Sequence, residues 1–251
     1  MRRFIAVVIL CVGVASVVAA FERDMLNLQT PPGVEAGNAV VDVQHRFYGP
    51  VDDDSLGTVF GMAAGANVHL GLRYYPWRRL VVRPAVTFLR REYTVAAGYG
   101  LELADVADAE IGVQFFSYRV PEMEDRRQNS FYHLAVESKP LLNVLSPALA
   151  VGYDGYEERL GGGLGLAAGF DRQGLIKHVA VIGEYYPVFG RDDGRAGAED
   201  CFAGGFELQT YGHHFTFLVG NSYEVGARRL MLGAPTNDLY FGFNIYRLVE
   251  F

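Results

Sequence analysis

Apolar and non-apolar side chains alternate with period two through most of this chain. That pattern belongs to strands with two different faces and admits few folds when it recurs so often. In "ANVHLGLRYY", Ala66, Val68, Leu70, Leu72 and Tyr74 share one face, and Asn67, His69, Gly71 and Arg73 the other. "RLVVRPAVTF" sets Leu80, Val82, Pro84, Val86 and Phe88 against Val81, Arg83, Ala85 and Thr87, and "EIGVQFFSY" sets Ile111, Val113 and Phe115 against Glu110, Gly112 and Gln114. Leu164, Leu166, Ala168 and Phe170 oppose a row of glycines and Ala167. The last segment places Phe241, Phe243, Ile245 and Val249 opposite Gly242 and Asn244, with Arg247 interrupting the apolar side. After residue 20 no apolar run reaches the ~18 residues that a spanning helix requires.

A soluble sandwich would alternate in the same way, so other features must decide. The non-apolar face is mostly Gly, Ala, Asn, Gln and Thr with charges of both signs (Asp42, Arg46, Arg73, Arg83, Glu110, Glu184), and lysine is scarce. Such a face suits a narrow wet interior better than a water-facing surface. Aromatics gather near strand ends (Phe47 and Tyr48; Tyr74, Tyr75 and Trp77; Tyr153 and Tyr156; Tyr185 and Tyr186; Tyr240 and Phe241), as girdles at the two lipid-water interfaces would. Connections mostly alternate in length: "GPVDDDSLGTVFGMAA", "VPEMEDRRQN", "VFGRDDGRAGAED" and "YEVGARRLMLGAPTND" are long, whereas "PWR", "DRQGLI" and "YG" are tight, with a short exception at Arg90 and Arg91. The expectation is an all-β chain forming one closed antiparallel transmembrane β-barrel of about twelve strands. Closure is compulsory in lipid, where an open edge leaves backbone groups unpaired.

The first twenty residues, "MRRFIAVVILCVGVASVVAA", combine a basic pair, a short apolar run and small residues before the cut, the layout of a cleaved signal peptide. Cys11 lies inside the apolar run after Leu10, which disfavours a lipoprotein anchor. The chain therefore divides into a leader at 1–20, a periplasmic N-terminal segment at 21–38 and a barrel domain at 39–251, in the outer membrane of a Gram-negative bacterium. Removing Arg2 and Arg3 from 22 basic residues against 29 acidic ones takes the formal net charge from −7 to about −9, which offers nothing to nucleic acid. Cys201 alone remains after export, so no internal disulfide forms.

"IGEYYPVFG", "YGHHFTFLVGNS" and "YFGFNIYRLVEF", in that order and near those spacings, resemble an uncharacterised bacterial family of predicted outer-membrane β-barrels, a domain of unknown function. Its pattern of Gly-His-x-Phe, Gly-Asn-Ser and a closing Phe-Gly-Phe-Asn-Ile-x-Arg falls here on Gly212, His213, Phe215, Gly220, Asn221, Ser222 and Phe241 to Arg247, including Gly242, Phe243, Asn244 and Arg247. "HRFYG", "GANVHLGLRY" and "LSPALAVGYD" fit more loosely, and "YDGYEE" departs from the polar stretch expected after Pro147. The resemblance implies the barrel and no activity. Phe241, Phe243, Ile245, Val249 and Phe251 resemble the C-terminal signal read by the barrel-assembly machinery, an expected partner during insertion beside outer-membrane lipid.

No motif carries chemistry. "GLGLAA" has the form of a dinucleotide fingerprint, but its glycines sit on one face of a strand and not at a strand-to-helix turn, so no cofactor is expected. His213 and His214 are adjacent on a strand, point to opposite faces and cannot chelate one ion, and no metal is expected. The acidic "VDDD" and "RDDGRAGAED" read as solvated loops, and no catalytic set has recognisable spacing. The expectation is a non-enzymatic barrel, either a narrow passage for small solutes or a structural envelope protein, with Arg46, Arg73, Arg83, Glu110, Gln114, Glu184 and His214 as lumen residues setting selectivity. Alternatives are an enzyme acting on lipid or peptide at the barrel rim through a histidine near a carboxylate, and a soluble periplasmic lipid-binding barrel.

Overall fold

A computed structural model describes residues 24–31, 33–119, 125–172, 174–190 and 199–251. The leader expected over 1–20 and most of the acidic run at 191–198 lie outside the described residues. Twelve strands close into an antiparallel barrel: β1 Ala39–Pro50, β2 Ala66–Trp77, β3 Leu80–Thr87, β4 Glu92–Leu103, β5 Ala107–Arg119, β6 Arg126–Ser138, β7 Leu145–Asp154, β8 Arg159–Asp171, β9 His178–Tyr186, β10 Cys201–Gln209, β11 His213–Gly220 and β12 Tyr240–Val249. Each strand pairs with its sequence neighbour, and β12 returns to β1 with Ala39 opposite Val249, so both barrel termini lie at one end.

That end carries the tight turns. The β10–β11 turn closes at Gly212, whose φ of 73° is left-handed backbone that a glycine adopts without strain. The opposite rim carries the long β1–β2, β9–β10 and β11–β12 connections. Two joins there are short, at Arg90 and Arg91 as the sequence indicates, and also at Gly155 to Glu158 between β7 and β8. Within "VPEMEDRRQN", Arg126 to Asn129 are strand and not loop, pairing in register with Arg119 to Phe116 and continuing the β5–β6 ribbon upward, while 120–124 lie outside the described residues.

The alternation read from the sequence separates two environments. Leu70, Leu72, Tyr93, Val95, Ile111, Phe115, Leu164, Leu166, Val181 and Phe206 are exposed on the outside, and Trp77 is 68% exposed at the short-turn end. Their strand neighbours Arg73, Ala96, Glu110, Phe116, Gly163, Gly165, Ala180 and Glu207 turn inward. A water-soluble barrel would bury the larger apolar set; this one exposes it, as a lipid-facing wall does.

The lumen is filled. A chain segment expected to lie outside the barrel, within 21–38, runs inside it from Asp24 to Thr30, with Met25, Leu26 and Leu28 buried to 1% or less. Its backbone closes a tight turn in which the Met25 N–H donates to the Leu28 carbonyl at 3.1 Å, and Asp24 accepts the Thr30 N–H at 3.3 Å. Burial of three apolar side chains offsets the cost of threading a backbone into the barrel, which explains the departure from a periplasmic extension. From the other rim the β11–β12 connection folds inward through a single helical turn, α1 (Ala227–Leu230).

Candidate functional site

Strand glycines make room for these two insertions. A Cβ at Gly163 would stand 2.6 Å from the Tyr186 ring and one at Gly161 would stand 2.5 Å from the Met231 Cβ, while one at Gly165 would strike the Met25 sulfur. The row of small residues on β8 is thus the floor on which the N-terminal turn, Tyr186 and the inward loop pack. Met25, Leu26, Leu28, Leu230 and Met231 pack with Phe116, Phe131, Ala150, Ile182, Tyr186 and Leu218 in one apolar cluster that runs along β5 to β11. A smaller cluster of Val34, Val40, Tyr75, Val81, Tyr246 and Leu248 seals the short-turn end beneath β1 to β3.

Polar groups tie the N-terminal turn to the opposite wall. Glu184 Oε1 accepts the backbone N–H groups of Asn27 and Leu28, each at 2.8 Å, and its Oε2 accepts the Asn27 amide at 3.1 Å and the Tyr186 hydroxyl at 3.1 Å. Arg46 donates to Asn27 Oδ1 at 2.7 Å and to Asn244 Oδ1 at 2.8 Å, while Asn244 Nδ2 donates to the Leu26 carbonyl at 2.7 Å. The Arg46 stem passes over Gly242, where a Cβ would lie 2.7 Å from its Cδ. Arg73 bridges Asp24 and Asp42, the latter at 3.0 Å, and Gln44 donates to Asp42 at 3.1 Å.

Two further ion clusters stand apart. Arg83 donates to Glu110 through Nη1 and Nη2 at 2.6 and 2.7 Å, and His133 meets Glu110 at 3.0 Å. At the long-loop rim Arg228 reaches Glu92 at 2.6 Å and Asp154 at 2.9 Å, with its guanidinium 3.8 Å above the Phe116 ring; Arg229 donates to Glu92 as well. Burial works against the charge on Arg229, but Glu92 and Glu224 outweigh it and hold the guanidinium above its ordinary value. Paired and hydrogen-bonded charges of this kind are how a lumen carries ions without leaving one uncompensated.

Between the N-terminal turn, the inward loop and the wall of β1 to β5 lies a cavity of about 80 Å³, bordered by Asp42, His69, Arg73, Arg83, Glu92 and Gln114. It has room for roughly five water molecules. Arg46, Arg73, Arg83, Glu110, Glu184 and His214, each buried, and Gln114 beside the cavity all face the lumen; Arg73, Arg83 and Gln114 border the cavity, whereas Arg46 and Glu184 hold the N-terminal turn. His213 faces outward and meets Arg247 at 3.1 Å, so the adjacent histidines do point to opposite faces. His214 is wholly buried, and the register places it diagonally to Glu207 through the pairs Gln209↔His214 and Glu207↔Thr216.

The remaining family-motif residues shape the strand ends. Asn221 is buried, accepts the Phe202 N–H at 2.9 Å and donates to the Asp200 carbonyl at 2.7 Å, fastening the exit of β11 to the start of β10. Ser222 accepts the Glu224 N–H at 3.2 Å. Phe215, Phe241, Phe243, Ile245 and Val249 lie on the outer face, and Phe251 is 90% exposed beyond it. Asp24, Asn27, Glu92, His133, Asp154, Arg228 and Arg229 were not singled out in the sequence, where they carry no periodic or motif signal.

A comparison with curated proteins returns no match. Among solved structures the chain is similar to the KdgM porin, with 12% identity, 83% of this chain and 98% of that one covered, and a TM-score of 0.49. It is similar also to LpxR from Salmonella typhimurium, with 11% identity, 86% and 100% covered, and a TM-score of 0.44. For Pseudomonas aeruginosa OccK11 (OpdR) the identity is 10%, the coverage 87% and 68%, and the TM-score 0.37. Residues 163–249, from the β8 glycines to the end of β12, match the model of a family described as a membrane bound beta barrel domain (DUF5777), and with the closed twelve-strand fold this identifies the chain as a membrane β-barrel.

Proposed function

We propose that this protein is a non-enzymatic outer-membrane barrel, exported by a cleaved leader, that holds a narrow passage for small polar solutes shut with its own N-terminal segment. The observation that carries this reading is the division of the lumen. Apolar packing fills the side of β6 to β11 and reaches Phe116 and Tyr118 of β5, while the side of β1 to β5 keeps a polar, mixed-charge cavity beneath the inward loop. The N-terminal turn closes that cavity through side-chain contacts at Glu184, Arg46, Asn244 and Arg73 and through the burial of Met25, Leu26 and Leu28, all of which can be released without unpairing any strand. Local opening of this kind costs far less than unfolding the barrel.

Planar-bilayer recording of the mature chain, beside a variant lacking residues 21–31, tests it. The expected result is a closed baseline for the mature chain with rare openings, and steady conductance for the shortened one. A shortened variant that is folded and inserted, as judged by its heat-dependent gel mobility, yet passes no current would overturn the passage and leave a solid structural barrel.

A further inference from the structure

Arginines without acids gather at the long-loop rim of a chain that carries 29 acidic residues against 22 basic ones. Arg119 closes β5 and Arg126 opens β6, and the ladder sets the two directly opposite one another. Both are exposed, as is Arg91 in the adjoining β3–β4 turn. Their backbones converge: the Arg119 N–H donates to the Arg90 carbonyl at 2.9 Å, and Arg126 Nη2 donates to the Arg91 carbonyl at 2.9 Å. Arg90 pairs with Glu224 at 2.9 Å. Among the described residues no carboxylate forms an ion pair with Arg91, Arg119 or Arg126, not even Asp125, the residue before Arg126. Like charges directly opposite on neighbouring strands destabilise the pair. An anion shared between them turns that repulsion into charge-assisted contacts, and the planar guanidinium fork matches phosphate oxygens.

The cationic pair is ordered in advance, which lowers the cost of binding. Arg126 Nε donates to the Ser117 hydroxyl at 2.9 Å and Nη2 to the Ser117 carbonyl at 2.6 Å, and the guanidinium lies 5.0 Å from the centre of the Tyr93 ring. Tyr93 is exposed on the outer wall, so these contacts hold the charge on that face, and they leave Nη1 without a partner among the described residues. Tyr93 is in register with Ser117, which stands two residues, or about 7 Å along the strand, below Arg119. Val95 and Phe115, paired and exposed, continue the apolar wall beneath. Guanidinium groups just above an outward tyrosine stand in the headgroup layer, where a lipid carries its phosphate over its own acyl chains.

We infer that the rim of β3 to β6 binds the phosphate headgroup of an anionic membrane lipid, which bridges Arg119 and Arg126 with Arg91 beside them while its acyl chains lie along Tyr93, Val95 and Phe115. A lipid is the occupant, and not a soluble phosphate, because the arginines stand directly over an exposed apolar wall that a free anion leaves unused. The inference does not depend on whether the lumen conducts.

Urea titration of the refolded full-length mature protein tests it in vesicles of phosphatidylcholine, alone or with added phosphatidic acid, and native mass spectrometry counts the lipid retained. Phosphatidic acid is expected to raise the urea midpoint of the native chain and to stay bound to it. Arg119→Gln relieves the cross-strand repulsion, so its midpoint in phosphatidylcholine alone is expected at or above the native one. With phosphatidic acid it should lose most of the rise, and its affinity for that lipid should fall about fivefold, the worth of one basic residue at an anionic membrane surface. Arg91→Gln, on a separate turn, should weaken retention in the same direction, and heat-dependent gel mobility shows whether each variant is folded. Arg78→Gln, exposed at the short-turn end, should behave as the native chain does. No rise with phosphatidic acid in the native chain would overturn the site. An equal loss in Arg78→Gln would reduce it to the attraction of an anionic surface for any arginine, and an equal rise with inorganic phosphate in phosphatidylcholine vesicles would overturn the lipid as occupant.

Discussion

A single methyl group separates the floor of the lumen from a clash. Gly163 faces the Tyr186 ring, and an aromatic held between Glu184, Leu28 and β8 has little room to move, so Gly163→Ala should cost about 1–3 kcal/mol through overpacking. Gly183 is the matching control: it lies on the outward face of β9 with open space where its Cβ would be, and Gly183→Ala should be close to neutral. Urea titration followed by the fluorescence of Trp77, which sits 68% exposed at the short-turn end, reads both. Equal midpoints for the two variants would mean that Tyr186 is free to yield. The glycine row was legible as a crowded inner face because every second residue was small. The identity of what crowds it was not, since Tyr186, Met231 and Met25 reach it from three separate elements.

At the scale of the element, the inward β11–β12 connection depends on one carboxylate. Glu92, the first residue of β4, accepts from Arg228 and Arg229 together, and both arginines are buried to 9% or less. Glu92→Ala leaves Arg228 with Asp154 and takes from Arg229 its hydrogen-bonded acid, with Glu224 acting only through space, and breaking a buried pair by removing one partner costs about 3–5 kcal/mol. That cost is comparable with the roughly 3–6 kcal/mol that burial of Leu230 and Met231 contributes, so the loop should spend more of its time outside the lumen. Trypsin applied to vesicle-inserted protein should then cut after Arg228 or Arg229 in the variant and leave the native loop whole; identical digestion of both would refute the clamp. The strands themselves were legible because each repeats a local rule many times. The clamp was not, because "EVGARRLMLGAP" reads as a charged loop and its partners Glu92 and Asp154 lie far away in sequence. "DMLNLQT" was illegible for a related reason: it has no period, and its hydrogen bonds go to Glu184, Arg46 and Asn244, distant positions that the closing of the barrel alone brings together.

The whole molecule divides its charge unequally around the ring. Arg46 and Glu184 are occupied by the N-terminal turn, Glu92 and Asp154 by the inward loop, and β7 to β9 present mostly Ala, Gly and Ile to the lumen. Once residues 21–31 are removed, Asp24 leaves Arg73, and the cavity wall of β1 to β5 carries Arg73 and Arg83 against Asp42 and the more deeply placed Glu110. An ion moving through the shortened barrel then passes guanidinium groups in a confined, poorly screened space, where one charge shifts the local potential by several kT. Arg73→Gln and Arg83→Gln, each in the shortened barrel, should therefore move the reversal potential in a salt gradient toward cations. Ala150→Ser, on the apolar wall, should leave it where it was. The shift should shrink at high salt, as screening lengths fall below the width of the passage. If the two arginine variants and Ala150→Ser give the same reversal potential, current does not run along β1 to β5, and the mixed-charge wall serves only to balance the ions that the closed barrel encloses.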